Sequence, residues 1–156
     1  MHETNVSAEG LDEAIARVKR HLEIQRFKQT LASPGPYIRM QDVDILDGYE
    51  FERFLKRLFE KMGYQVEHTK LSGDQGGDLV LIKLGERVVV QAKRYGGAIG
   101  NRAVQEITAA VNHYRADKGI VVTNSYFTAA AVQLAKSNRI ELIDRDKLEN
   151  MIKTYM

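Results

Sequence analysis

Gln91 and Lys93 stand two residues apart at the end of the valine-rich run RVVVQAK (87–93), so a strand places both on one face. A purely structural core strand has no use for an amide and an ammonium there. The run DLVLIKL (78–84) precedes it, separated by Gly85-Glu86, and two strands joined by Gly-X predict a hairpin with a type II′ turn. With Gly85 and Glu86 as the loop, Leu84 pairs with Arg87 and Asp78 falls opposite Lys93. Gln91 is then the diagonal neighbour of Asp78, about 7–8 Å away between α-carbons. One face at the open end of the hairpin thus gathers a carboxylate, an amide and an ammonium. A cross-strand Asp–Lys pair alone would be ordinary, contributing roughly 0.2–1 kcal/mol. That pairing accounts neither for Gln91 nor for the preceding SGDQGGD (72–78), whose glycines let backbone approach a ligand and expose amide N–H groups.

A carboxylate with one or two further oxygen donors suits a hard cation such as Mg²⁺, with Mn²⁺ able to substitute. Such an ion polarises a phosphoryl oxygen and lowers the pKa of a bound water, while a nearby ammonium orients that water or neutralises charge on the phosphate. Net charge is only +2 over 156 residues, yet residues 83–102 carry Lys83, Arg87, Lys93, Arg94 and Arg102 against Glu86, a local +4. The basicity concentrates where the three side chains meet and points to a polyanionic partner. Metal-assisted phosphodiester hydrolysis is the reaction class these residues suggest.

The positioning elements follow from periodicity. Residues 11–31 form a basic helix whose apolar positions run Leu11, Ile15, Val18, Leu22 and then slip phase towards Ile24, Phe27 and Leu31. SPGP (33–36) reads as a linker, which divides the chain into an arm (1–40) and a compact domain (41–156). Asp47 and Glu50 form a capping-box pattern ahead of Phe51, Phe54, Leu55, Leu58, Phe59 and Met62, and Gly63 supplies a stop. Glu52 borders that stripe. YQVEHTK (64–70) alternates as a strand and LSGDQGG (71–77) is a loop. A helix begins at Asn101, taken as its N-cap; GIVVTN (119–124) is a buried strand, 127–138 a helix capped near Thr128, RIELI (139–143) a strand and 146–156 a last helix. The order α-β-β-β-α-β-α-β-α predicts a mixed sheet with helices on both sides.

Other chemistries are excluded or poorly matched. There is no cysteine, hence no disulfide or thiolate nucleophile, and the four histidines lack metal-ligand spacing. No apolar run reaches a membrane-spanning length and no signal-peptide pattern opens the chain, so a cytoplasmic location without membrane association is expected. GGAIGN (96–101) lies between a strand and a helix, but Tyr95 occupies the first glycine position of a dinucleotide fingerprint.

GYEFERFL, SGDQGGDLVLI, VVVQAKRY, AVQEI, GIVVTNSYFT and ELIDRDKL, in this order and spacing over residues 42–152, resemble the Mrr-like catalytic domain of type IV restriction endonucleases, within the PD-(D/E)XK nuclease superfamily. The resemblance implies an α/β, restriction-endonuclease-like αβββαβ core and a Mg²⁺-dependent DNA endonuclease leaving 5′-phosphate and 3′-hydroxyl ends. It assigns Asp78 as the central metal-binding aspartate and Gln91 to a position that is Glu or Asp in most of the superfamily. Lys93 becomes the motif lysine, Glu52 the additional acidic residue of the first helix, and the Ala92 carbonyl a further metal ligand. Gly77 stands where the superfamily motif has proline, and Gln91 agrees with the Mrr-like branch. Arg94, Tyr95, Asn101 and Arg102 flank the site and are candidates for DNA contact. Thr123, Asn124 and Ser125 end a strand and act as caps or line the cleft. Two alternatives stay open: a DNA-binding or assembly module that keeps the fold without cutting, and a Holliday-junction-resolvase-like nuclease. Double-strand cutting would call for a homodimer, or for a fused or separate recognition module.

Overall fold

The computed structural model describes residues 8–32, 38–69 and 78–156, in two compact units, Met1–Tyr37 and Ile38–Met156. The SPGP linker and the LSGDQGG loop lie outside the described residues. In the first unit, helix α1 spans Ala8–Ala32, and its stripe Leu11, Ile15, Val18 and Leu22 is exposed.

The second unit opens with a five-residue helix, α2 (Met40–Asp44), too short for periodicity to reveal. Helix α3 (Gly48–Lys61) forms as its sequence requires: Asp47 Oδ1 accepts from the Glu50 N–H at 2.7 Å and Glu50 Oε2 accepts from the Asp47 N–H at 3.0 Å. Phe51, Phe54, Leu55, Leu58 and Phe59 are buried, and Gly63 turns the chain out at φ 94°.

Five strands follow: β1 (Gln65–His68), β2 (Leu79–Lys83), β3 (Glu86–Lys93), β4 (Lys118–Thr123) and β5 (Ile140–Ile143). They lie side by side in chain order, antiparallel from β1 to β3 and parallel from β3 to β5. This is the mixed sheet expected from the element order. Helix α4 (Asn101–His113) is the crossover from β3 to β4 and α5 (Ala129–Asn138) that from β4 to β5, while α6 (Arg145–Tyr155) ends the chain. Helices α4 and α5 pack together against β3, β4 and β5; α3 and α6 touch one another, α3 covering β1–β3 and α6 covering β4 and β5.

Strand β3 carries the site because both of its faces are covered. Val89 joins Val104, Ile107, Ala110 and Val121 in the core beneath α4, and Val88 and Val90, alternating to the other face, are buried as well. Gly119 in β4 lets α4 come close, since a β-carbon there would meet Val111 Cγ2 at 2.7 Å.

Three sequence expectations need correction. The hairpin loop is Leu84-Gly85 rather than Gly85-Glu86: both residues have positive φ (51° and 80°), a type I′ turn, and Lys83 pairs with Glu86. The register therefore slips by two residues, which sets Val80 against Val89 instead of against polar Gln91 and leaves Leu84 exposed in the turn. A slip of two preserves the face of every side chain within the paired strands while their cross-strand partners change. The N-cap of α4 is the extended Gly100, Asn101 being the first helical residue, and α6 begins at Arg145 with Asp144 as its cap. Thr128 caps α5, its side chain accepting from the Ala131 N–H. Among the described residues no helix is long and apolar enough to cross a membrane.

Candidate active site

Asp78 sits just before β2. Its N–H donates to the Val90 carbonyl at 2.8 Å and its Oδ2 accepts from the Ala92 N–H at 2.7 Å. It thus lies against residues 90–92 of β3, nearer to Gln91 than a pairing opposite Lys93 would place it. Burial pushes the Asp78 carboxyl up to about 6; the Ala92 N–H and Lys93 oppose that rise, and Glu52 and Glu106 reinforce it. A carboxylate held in this way gains from any cation that joins it.

Gln91 is only 4% exposed. Its Nε2 donates to Glu106 Oε2 at 2.7 Å, whereas its Oε1 is buried with no hydrogen-bond partner. Lys93 Nζ donates to the same Glu106 Oε2 at 3.1 Å, and Arg102 Nε donates to Oε1 at 3.0 Å. Burial would raise the Glu106 carboxyl, but the hydrogen bonds from Lys93 and Gln91 outweigh it and hold the group below its usual range. Asp78, Gln91, Ala92 and Lys93 are therefore assembled at one end of the hairpin, with α4 supplying the acceptor that holds two of them.

Glu52 reaches the same neighbourhood from α3. It raises the Asp78 carboxyl electrostatically, but its Oε1 bonds His68 Nδ1 at 2.8 Å, at the end of β1. Among the described residues no three His, Asp or Glu side chains converge as a metal-holding group. An ion at this hairpin would therefore draw on amide and peptide oxygens as well as on carboxylate. The buried, unpartnered Gln91 Oε1, one residue before the Ala92 N–H that holds the Asp78 carboxyl, fits that donor set, because a buried acceptor with no donor is otherwise unfavourable by roughly 1–3 kcal/mol.

The four residues expected at DNA divide. Arg102 is almost fully exposed while bonding Glu106, and Asn101 is exposed at the start of α4. Arg94 Nη2 donates to the Asp44 carbonyl at 2.9 Å, so it also holds α2. The Tyr95 ring is exposed while its N–H donates to Asn124 Oδ1 at 2.8 Å. Asn124 donates in turn to Asp44 Oδ1, and Asp44 takes two bonds from Arg145 at 2.7 and 2.9 Å. Asp44, Arg94, Tyr95, Asn124 and Arg145, with Gly96, Ser125 and Tyr126, line an open cavity of about 360 Å³. Ser125 N–H donates to Thr123 Oγ1, the local turn expected there.

Sequence reasoning missed Glu106, His68, Asp44 and Arg145, although it singled out Asn124, which bonds Asp44. For Glu106 a signal existed: a buried amide and an ammonium on one strand face require an acceptor, and the helix after the strand is its nearest source.

Residues 43–152 match the family model described as Restriction endonuclease, of the Mrr catalytic type. The chain belongs to this restriction-endonuclease family. A curated relative, the type IV methyl-directed restriction enzyme EcoKMrr of Escherichia coli (strain K12), is 32% identical over 111 residues, 65% of this chain. The chain spans 36% of that relative's length. Among solved structures, the protein of unknown function AF1548 superposes with a TM-score of 0.62 at 17% identity, over 69% of this chain and 66% of that one. The DNA modification-dependent restriction endonuclease AspBHI gives 0.59 at 18% identity, over 85% and 35%. These likenesses show the restriction-endonuclease fold, and the family match covers every strand and the helices α3, α4 and α5 in full.

Proposed function

We propose that the chain is a divalent-metal-dependent DNA endonuclease that hydrolyses phosphodiester bonds, with Mg²⁺ as the ion and Mn²⁺ as a working substitute. The observation that carries this reading is the buried, unpartnered Gln91 Oε1 on the strand whose next residue, Ala92, holds through its N–H an Asp78 carboxyl pushed up to about 6. Asp78, Gln91 Oε1 and the Ala92 carbonyl would hold the ion, with Glu52 joining them directly or through water. When bound, the ion supplies Lewis-acid polarisation of a phosphoryl oxygen and a water of lowered pKa.

The chain's own residues do the rest. The Ala92 N–H fixes the orientation of the Asp78 carboxylate. Lys93, tethered to Glu106 but about one-third exposed, offers its ammonium to the scissile phosphate and the attacking water. Arg102 and Asn101 meet the flanking backbone at the start of α4, and Arg94 and Tyr95 meet it at the end of β3.

The test is cleavage of methylated, unmethylated and branched duplexes in Mg²⁺, Mn²⁺ and EDTA. Cleavage by the native chain with metal, abolished by Asp78→Ala, supports the proposal. Intact DNA under every condition, or undiminished cleavage by Asp78→Ala, refutes it.

A further inference from the structure

From the contacts of Glu106 we infer that it is the positioning residue that turns Gln91 into a ligand, by capturing its NH₂ and presenting its Oε1 to the ion. The inference rests on the metal-dependent reading above and concerns a residue to which that reading gives only the tether of Lys93. A glutamine side chain is nearly symmetric in shape, and rotation by half a turn exchanges a donor for an acceptor. Oxygen can ligate a hard cation; the amide nitrogen cannot. Something must therefore choose the orientation.

A carboxylate makes that choice unambiguously, because it can only accept. Glu106 Oε2 takes the Gln91 Nε2 bond at 2.7 Å, and a half-turn of the amide would set Gln91 Oε1 against this carboxylate oxygen. Lys93 and Arg102 keep the carboxylate charged and in place, through Nζ at 3.1 Å and Nε at 3.0 Å. The oxygen left over is the buried one without a partner. Gln91 and Glu106 together also retain the single negative charge that an acidic residue at position 91 would bring. The charge stands on α4 instead, where it bonds Lys93 as well. Partners behind a metal ligand typically contribute 10–100-fold to metal affinity.

The experiment compares Mg²⁺ affinity, read from the metal-dependent rise in Tm and by calorimetry without DNA, for the native chain, for Glu106→Gln, and for a double variant that combines Gln91→Glu with Glu106→Gln. In the single variant the amide introduced on α4 can donate to Gln91 Oε1, so the ligand orientation is lost and the Mg²⁺ Kd should rise about 10-fold or more. In the double variant the carboxylate introduced on β3 has two equivalent oxygens; one accepts from the amide on α4 and the other faces the ion. Recovery to within about 3-fold of the native Kd is expected. Both variants should keep the native Tm in EDTA to within a few degrees, which a merely structural role for Glu106 would not allow. An unchanged Kd in Glu106→Gln, or no recovery in the double variant, overturns the inference while leaving the metal site standing. A native chain that takes up no Mg²⁺ overturns both.

Discussion

Replacing Asp78 by Asn should make the protein more stable at neutral pH in the absence of metal. The carboxyl is displaced from its usual 3.8 to about 6, chiefly by burial. The folded chain therefore favours the protonated form, and this favourable contribution is complete below about pH 3.8 and is lost as pH rises through about 6. Each pKa unit corresponds to about 1.4 kcal/mol, so the ionised group costs the apo fold at most about 3 kcal/mol above that range. Asparagine keeps an oxygen for the Ala92 N–H and removes the charge. With about 2–4 °C of Tm for each kcal/mol in a chain of this size, Asp78→Asn should melt roughly 3–10 °C higher than the native chain at pH 8 in EDTA. At pH 4 the two should nearly coincide. Saturating Mg²⁺ should raise the native Tm and leave that of Asp78→Asn unchanged, because only the native site gains from binding. Calorimetric scans at pH 4, 6 and 8 measure all of this. A variant that melts lower than the native chain at pH 8 in EDTA, or a difference independent of pH, would refute the reasoning.

Lys93→Met should slow single-turnover cleavage about 10²–10³-fold while the Mg²⁺-induced rise in Tm persists, since the ammonium acts on the phosphate rather than on the ion. Arg102→Ala should leave folding within about 0.5 kcal/mol of native and weaken DNA binding at all sequences alike. It should also lower the slope of log K against log salt by about 1 in a fluorescence titration. Asp44→Ala should destabilise by about 1–2 kcal/mol at pH 7, because Arg145 and Asn124 lose their acceptor. The Asp44 carboxyl would be raised by burial but is held below its ordinary value by the Arg145 and Asn124 hydrogen bonds. That stabilisation is therefore present above about pH 3.8 and should fade in more acid urea titrations.

The fold was legible where local chemistry is decisive. Asp47 and Glu50 announce α3, the alternation of β2 and β3 announces a hairpin, and the valines of β3 announce a strand covered on both faces. Parity made the β3 pair legible: an error of two residues in register changed the cross-strand partners but left Gln91 and Lys93 on one face of the strand. The turn itself misled, because Leu84 adopts a left-handed conformation that the residue type disfavours, and only the apolar pairing of Val80 with Val89 selects that register. Contacts between distant segments left no local trace. Glu106 meets Gln91 only when α4 docks on the sheet, and Asp44 meets Arg145 across 101 residues of chain. Glu52 belongs to both classes, since its helix was readable and its bond to His68 was not.

Crystals equilibrated with Mn²⁺ and recorded at its absorption edge would locate the ion directly. The account requires an anomalous peak within bonding distance of the Asp78 carboxylate and Gln91 Oε1. A map with no peak at that end of the hairpin, or with Mn²⁺ held elsewhere in a chain that still cleaves DNA, would contradict it.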